Sequence, residues 1–75
     1  MKKDKALKIL GSQIRQIREE KGLTPDELAS SIGKHRPAIN RLEMGHVNPS
    51  MYFIREIAGG LGMKLDELLK GLNSL

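Results

Sequence analysis

Residues Thr24–Gly45 read TPDELASSIGKHRPAINRLEMG, a stretch that predicts two short helices joined by a tight turn. Thr24 offers a side-chain oxygen as an N-cap, and Pro25 suits the first helical position, which has no use for an N–H. Glu27, three residues on, completes a T-x-x-E capping box. Leu28, Ala29 and Ile32 share one face of the helix that follows. Gly33 breaks the period where a left-handed residue commonly closes a helix. A second helix turns Ile39 and Leu42 inward and stops at Gly45.

The second helix separates its faces. At about 100° per residue, Arg36, Asn40, Met44, Pro37 and Arg41 sweep an arc of roughly 140°, and Ala38, Leu42, Ile39 and Glu43 fill the rest. One side is apolar enough to pack on the first helix. The other carries two arginines and an asparagine, the side chains that pair bidentately with guanine and adenine in the major groove. An ordinary amphipathic helix with its charges in water is the competing reading. The capped helix and glycine turn ahead of it favour the DNA reading, since two short helices around such a turn make a helix-turn-helix.

Residues Leu10–Leu69 resemble the Cro/lambda-repressor-like helix-turn-helix domain, the XRE family. The matching pieces are LGSQIRQIREEKGLT, DELA, Gly33, AINRLEMG, NPS and LDELL, with their spacing kept throughout. The resemblance implies an all-α fold, a compact five-helix lambda-repressor-like domain whose third helix enters the major groove. It also implies a dimer on a two-fold symmetric operator, as is usual for this motif. The sequence departs from the family at Pro25, where glutamine often touches phosphate and buttresses the reading helix. It departs again at Lys34, usually apolar, and at His35, usually a serine cap. Pro37 disfavours helical geometry at Arg36, so helix 3 is expected to start at Pro37 with Arg36 as its cap residue.

With 75 residues there is room for one domain and a small core. Aromatic content of 3% makes that core aliphatic. Cysteine is absent, which removes disulfides and thiolate metal sites together. No apolar run is long enough to span a membrane, and MKKDKALKIL lacks the apolar length and cleavage site of a secretory signal. A cytoplasmic protein with no membrane association is expected. The net charge of +4 is uneven: the whole excess lies in residues 1–21, where Lys2, Lys3, Lys5, Lys8, Arg15, Arg18 and Lys21 outnumber Asp4, Glu19 and Glu20. Such a basic segment could lie along phosphates, although a solvated terminus is the plainer reading of Met1–Lys5.

Helix 1 is expected from about Lys5 to Lys21, with Leu7, Leu10, Ile14 and Ile17 as its apolar stripe. Gly11 interrupts the stripe, so the part before it is expected to be loosely attached. The resemblance implies an ion pair between Arg18 and Glu43 that clamps helix 3 to helix 1. In the loop HVNPS, Ser50 can cap the next helix. The family's use of this loop makes His46 and Asn48 phosphate candidates, with Lys34 on the helix 2–3 turn and Arg15 on helix 1. Backbone N–H groups and helix dipoles explain why anions settle there. His35 and His46 lack a third ligand, so no metal site is assigned.

Helix 4 is expected over Met51–Leu61, with Ile54, Ile57, Ala58 and Leu61 inward. Gly59 and Gly60 each cost roughly 0.8–1 kcal/mol there relative to alanine; a close helix crossing and simple tolerance both account for them. Leu65–Leu69 forms a last short helix. Leu72 and Leu75, with Tyr52, Phe53 and Met63, are expected to form an exposed apolar patch, the kind that marks a partner surface. The resemblance places a weak homodimer contact across Met63–Leu75.

No nucleophile elbow, phosphate loop or metal-ligand cluster is present, and neighbouring acids such as Asp66 and Glu67 point about 100° apart on a helix. Neither an enzyme nor a cofactor is expected. The chain divides into a basic leader, 1–9, which can extend helix 1, a DNA-binding domain, 10–70, and a tail, 71–75. The reading is a small transcriptional repressor that binds double-stranded DNA, with Arg36 and Arg41 on base edges and Pro37 and Asn40 beside them. The alternative is an antitoxin or other interaction module, with a toxin-like protein partner, that keeps the fold and binds DNA weakly or for autoregulation.

Overall fold

The predicted helices form because several of their ends are closed locally and each turns an apolar face onto the others. The computed structural model describes residues 3–72, with side-chain environments for residues 5–70. It contains α1 (Lys3–Glu20), α2 (Pro25–Ser31), α3 (Arg36–Glu43), α4 (Met51–Gly60) and α5 (Leu65–Leu72), and no strand among the described residues. The all-α, five-helix expectation is met.

Thr24 caps α2 as a full capping box. Its hydroxyl accepts from the Glu27 N–H at 3.1 Å, and its own N–H donates to Glu27 Oε1 at 2.9 Å. Ser50 caps α4 through the Phe53 N–H at 3.0 Å. At the other end of α2, Gly33 takes φ +69°. The Lys34 N–H then reaches back to the Ala29 carbonyl at 2.9 Å and the Gly33 N–H to Ser30 at 3.2 Å. This is the Schellman closure, and it also ends α3 through Gly45 and His46. It makes the α2–α3 turn short and fixes its direction.

Ile14, Leu28, Ile39, Leu42, Ile57 and Leu68 are fully buried and form the centre of an aliphatic core. The helix-turn-helix pair packs over α1 and α4, and α5 closes the base against α4 and α1. Among the described residues no buried side-chain polar atom lacks a hydrogen-bond partner.

Several expectations change. Gly11 does not loosen α1; it is buried, and a Cβ there would collide with the carbonyl oxygens of Leu42 and Glu43. Its lack of a side chain lets α1 lie directly against the last turn of α3. A Cβ on Gly45 would lie 2.8 Å from Lys8 Cα, so the segment ahead of Gly11 is also held, against the α3–α4 junction. On α4, Gly60 faces Leu28 of α2 and Ile32 just after it so closely that a Cβ would come within 2.7–2.8 Å of their side chains, whereas Gly59 faces open space. Crossing explains one glycine and tolerance the other.

Phe53 and Met63 do not join an exposed patch. Both are half-buried against the core, whereas Tyr52 is 68% exposed. The last helix continues to Leu72 rather than ending at Leu69; Leu75 lies outside the described residues. No described helix is long and apolar enough to cross a membrane.

Candidate nucleic-acid interface

The outward arc of α3 is built by what its inward side is fastened to. Ile39 and Leu42 are buried in the core, and Ala38 is half-buried beside them. The helix period then leaves Arg36, Pro37, Asn40, Arg41 and Met44 on the opposite side, and all five are exposed. The four base-reading candidates therefore share one surface. Met44, 59% exposed, joins them; it lies on the same arc in the sequence, which is the signal that could have marked it.

The helix begins one residue earlier than expected. His35 is the N-cap, with φ −114° and ψ 157°, and Arg36 is the first helical residue, with Pro37 second. The restriction that proline places on its predecessor is a preference, and packing overrides it here. The Schellman turn ends at Lys34, so one extended residue is all that separates it from a helix whose Ile39 must reach the core. His35 makes no side-chain cap bond. Proline in the first turn removes one of the N–H groups that would otherwise go unpaired.

The far end of α3 is clamped. Arg18 Nε donates to Glu43 Oε2 at 2.7 Å and Nη2 to Oε1 at 3.1 Å, a bidentate pair with both side chains more than nine-tenths buried. Its remaining Nη1 donates to the Leu23 carbonyl at 2.6 Å, while the Leu23 N–H donates to the Arg18 carbonyl at 3.1 Å. One guanidinium thus ties the end of α1, the turn after it and the last turn of α3. Hydrogen bonding to Glu43 raises the Arg18 pKa further, against the lowering by burial.

The phosphate candidates are placed differently from one another. Arg15 is exposed, 3.4 Å from Glu19, and borders a shallow depression with Pro25, Asn40 and Met44, so it stands beside the outward arc. His46 and Asn48 are exposed in the α3–α4 loop; the His46 N–H is used at the end of α3, donating to the Arg41 carbonyl at 2.9 Å. Lys34 turns toward α4: its ammonium lies 4.0 Å from Glu56 Oε1 and 5.9 Å from the centre of the Phe53 ring. Sequence reasoning missed this contact.

It also missed Asp26, whose Oδ2 lies 3.8 Å from Arg36 Nη1 across the α2–α3 cleft. Among the described residues no carboxylate lies within 4.0 Å of Arg41, and no cluster of three potential metal ligands forms.

A helix-turn-helix family profile matches residues 14–68. The uncharacterized HTH-type transcriptional regulator y4dJ of Sinorhizobium fredii is 36% identical over 62 residues, covering 83% of this chain and 80% of that protein. Among solved structures, the restriction-modification controller C.AhdI from Aeromonas hydrophila superposes with a TM-score of 0.83 at 29% identity, over 91% of this chain and 99% of that one. The controller C.Esp1396I, solved as a tetramer in complex with its natural 35 base-pair operator, gives a TM-score of 0.77 at 26% identity, over 91% and 95% of the two chains.

Proposed function

Because this chain belongs to the XRE-type helix-turn-helix family of DNA-binding transcription regulators, we propose that it is a small cytoplasmic repressor reading a duplex operator with α3. The observation that carries this is the division of α3 into two faces. Its inner side is fixed by the core and by Arg18–Glu43, and its outer side presents Arg36, Pro37, Asn40 and Arg41 together. A rigid helix with an exposed polar arc can enter the major groove without reorganising. Arg36 and Arg41 contact base edges, with Pro37 and Asn40 beside them. Arg15, beside the arc, and His46 and Asn48, exposed in the α3–α4 loop, meet phosphates; Lys34 does so only by leaving Glu56.

Dimerisation places two reading helices on a two-fold site. Leu68 is buried, and Met63 and Leu65 pack on the core. Among the described residues of Met63–Leu75, the proposed weak dimer therefore uses the exposed positions rather than the whole segment. Selection from randomised duplexes at near-physiological salt tests the proposal. Enrichment of two half-sites about 10 bp apart supports a dimeric reader. An unenriched pool, with binding that vanishes as salt rises, leaves only non-specific attraction and overturns it. A second reading, a protein-interaction module with a toxin-like partner, rests on exposed Met44, Met51 and Tyr52; an unenriched pool together with a co-purifying stoichiometric partner would favour it.

A further inference from the structure

The first turn of α3 holds no acid, and Arg36 puts a cation there instead, where the helix dipole is positive and favours anions. The compensating carboxylate comes from another helix. Asp26, in the first turn of α2, places Oδ2 3.8 Å from Arg36 Nη1. The other acids near α3 are engaged elsewhere: Glu27 in the α2 capping box, Glu43 with Arg18, Glu56 with Lys34 and Glu19 with Arg15. Asp26 is thus the acid directed at the exposed arc.

We infer that Asp26 is a positioning residue that holds the Arg36 guanidinium for base reading and keeps it off the DNA backbone; the inference rests on Arg36 being a base reader. A guanidinium presents five donors in a flat fork, so a carboxylate 3.8 Å from Nη1 leaves the N–H groups free to meet the O6 and N7 acceptors of a guanine. Without the carboxylate, the nearest strong acceptor is a phosphate, which carries no sequence information. In water the pair is exposed on both sides and contributes little to folding. Its effect appears when the groove excludes solvent. Arg41, with no carboxylate within 4.0 Å among the described residues, serves as the internal control.

The test compares wild type, Asp26→Asn, Asp26→Glu, Arg36→Ala and Arg41→Ala in duplex selection, followed by salt titration on the enriched site and on a random duplex. A good bidentate contact discriminates roughly 5- to 150-fold between bases. Arg36→Ala is expected to abolish that preference at one position. Asp26→Asn is expected to lower it at least about threefold there, to leave the Arg41 position unchanged, to tighten binding to random duplex, and to steepen the salt slope by up to about 0.9, one extra phosphate contact. Asp26→Glu, which keeps the charge, is expected to restore much of the preference. Unfolding curves for Asp26→Asn that match wild type separate this from a folding defect. An Asp26→Asn motif identical in strength to wild type overturns the inference while leaving Arg36 as a reader. An unchanged motif with Arg36→Ala, or no motif with wild type, overturns the inference together with the reading beneath it.

Discussion

The two ends of α3 are fastened by ion pairs of opposite character. At the C-terminal end, Arg18 and Glu43 meet at 2.7 Å, bidentate and almost fully buried, beside a glycine crossing that admits no Cβ. At the N-terminal end, Arg36 and Asp26 stand 3.8 Å apart with both side chains more than half exposed, behind a cap residue that makes no side-chain bond. The buried pair has lost its water and must stay matched; the exposed pair trades easily with solvent. One helix is therefore anchored where it meets the core and adjustable where it meets the outside.

The largest effect that would break this contrast belongs to the buried pair. Arg18→Ala should cost about 3–5 kcal/mol, because it strands the Glu43 charge, and denaturant unfolding measures it. A double replacement, Arg18→Met with Glu43→Leu, should cost much less than the single change. A cost for Arg18→Ala no greater than that for Asp26→Asn would erase the distinction between the two ends. Gly11→Ala comes next at about 1–3 kcal/mol, since backbone carbonyls cannot step aside as side chains do; its thermal midpoint should fall with the helical signature retained below the transition.

On the adjustable side the losses move from folding to recognition. Arg41→Ala should leave the melting curve near wild type and weaken binding to the selected duplex by about 1–3 kcal/mol, with relaxed preference at one position. Thr24→Ala should cost about 1 kcal/mol of stability, the usual value of an N-cap. The smallest effect concerns pH. Backbone and side-chain hydrogen bonds with Thr24 hold the Glu27 carboxyl below its usual range. Its contribution is complete above the unfolded value of about 4.3 and drains away as pH falls through the lower folded value. Glu27→Gln should flatten that acid limb and leave the alkaline limb unchanged, as unfolding curves taken across the pH range would show.

Features set by neighbours in sequence were legible from the residues: the Thr24–Glu27 box, the Ser50 cap, the glycine closures and the inward stripe of each helix. What depended on distant partners was not. Nothing around Gly11 says that the carbonyls of Leu42 and Glu43 lie against it, so an interruption looked like a weak point. Arg18 and Glu43, 25 positions apart, were paired only through the family resemblance. Phe53 and Met63 were misplaced because side-chain type alone does not say which face a residue takes. The Asp26–Arg36 pair carries two local signals, an acid just inside α2 and a cation where α3 wants an anion. Those signals lie on different helices, and only the turn between them brings them together.

The separation of the α3 faces bears on how such a chain can diverge. Arg36, Pro37, Asn40, Arg41 and Met44 lie outside the buried core, and surface substitutions away from caps and buried pairs usually change stability by no more than about 0.5 kcal/mol. Substitutions along the outer arc can therefore accumulate and be exchanged as a set while Ile39, Leu42 and Glu43 stay as they are. The surface proposed to read DNA can then change its chemistry while the molecule that carries it keeps the same shape.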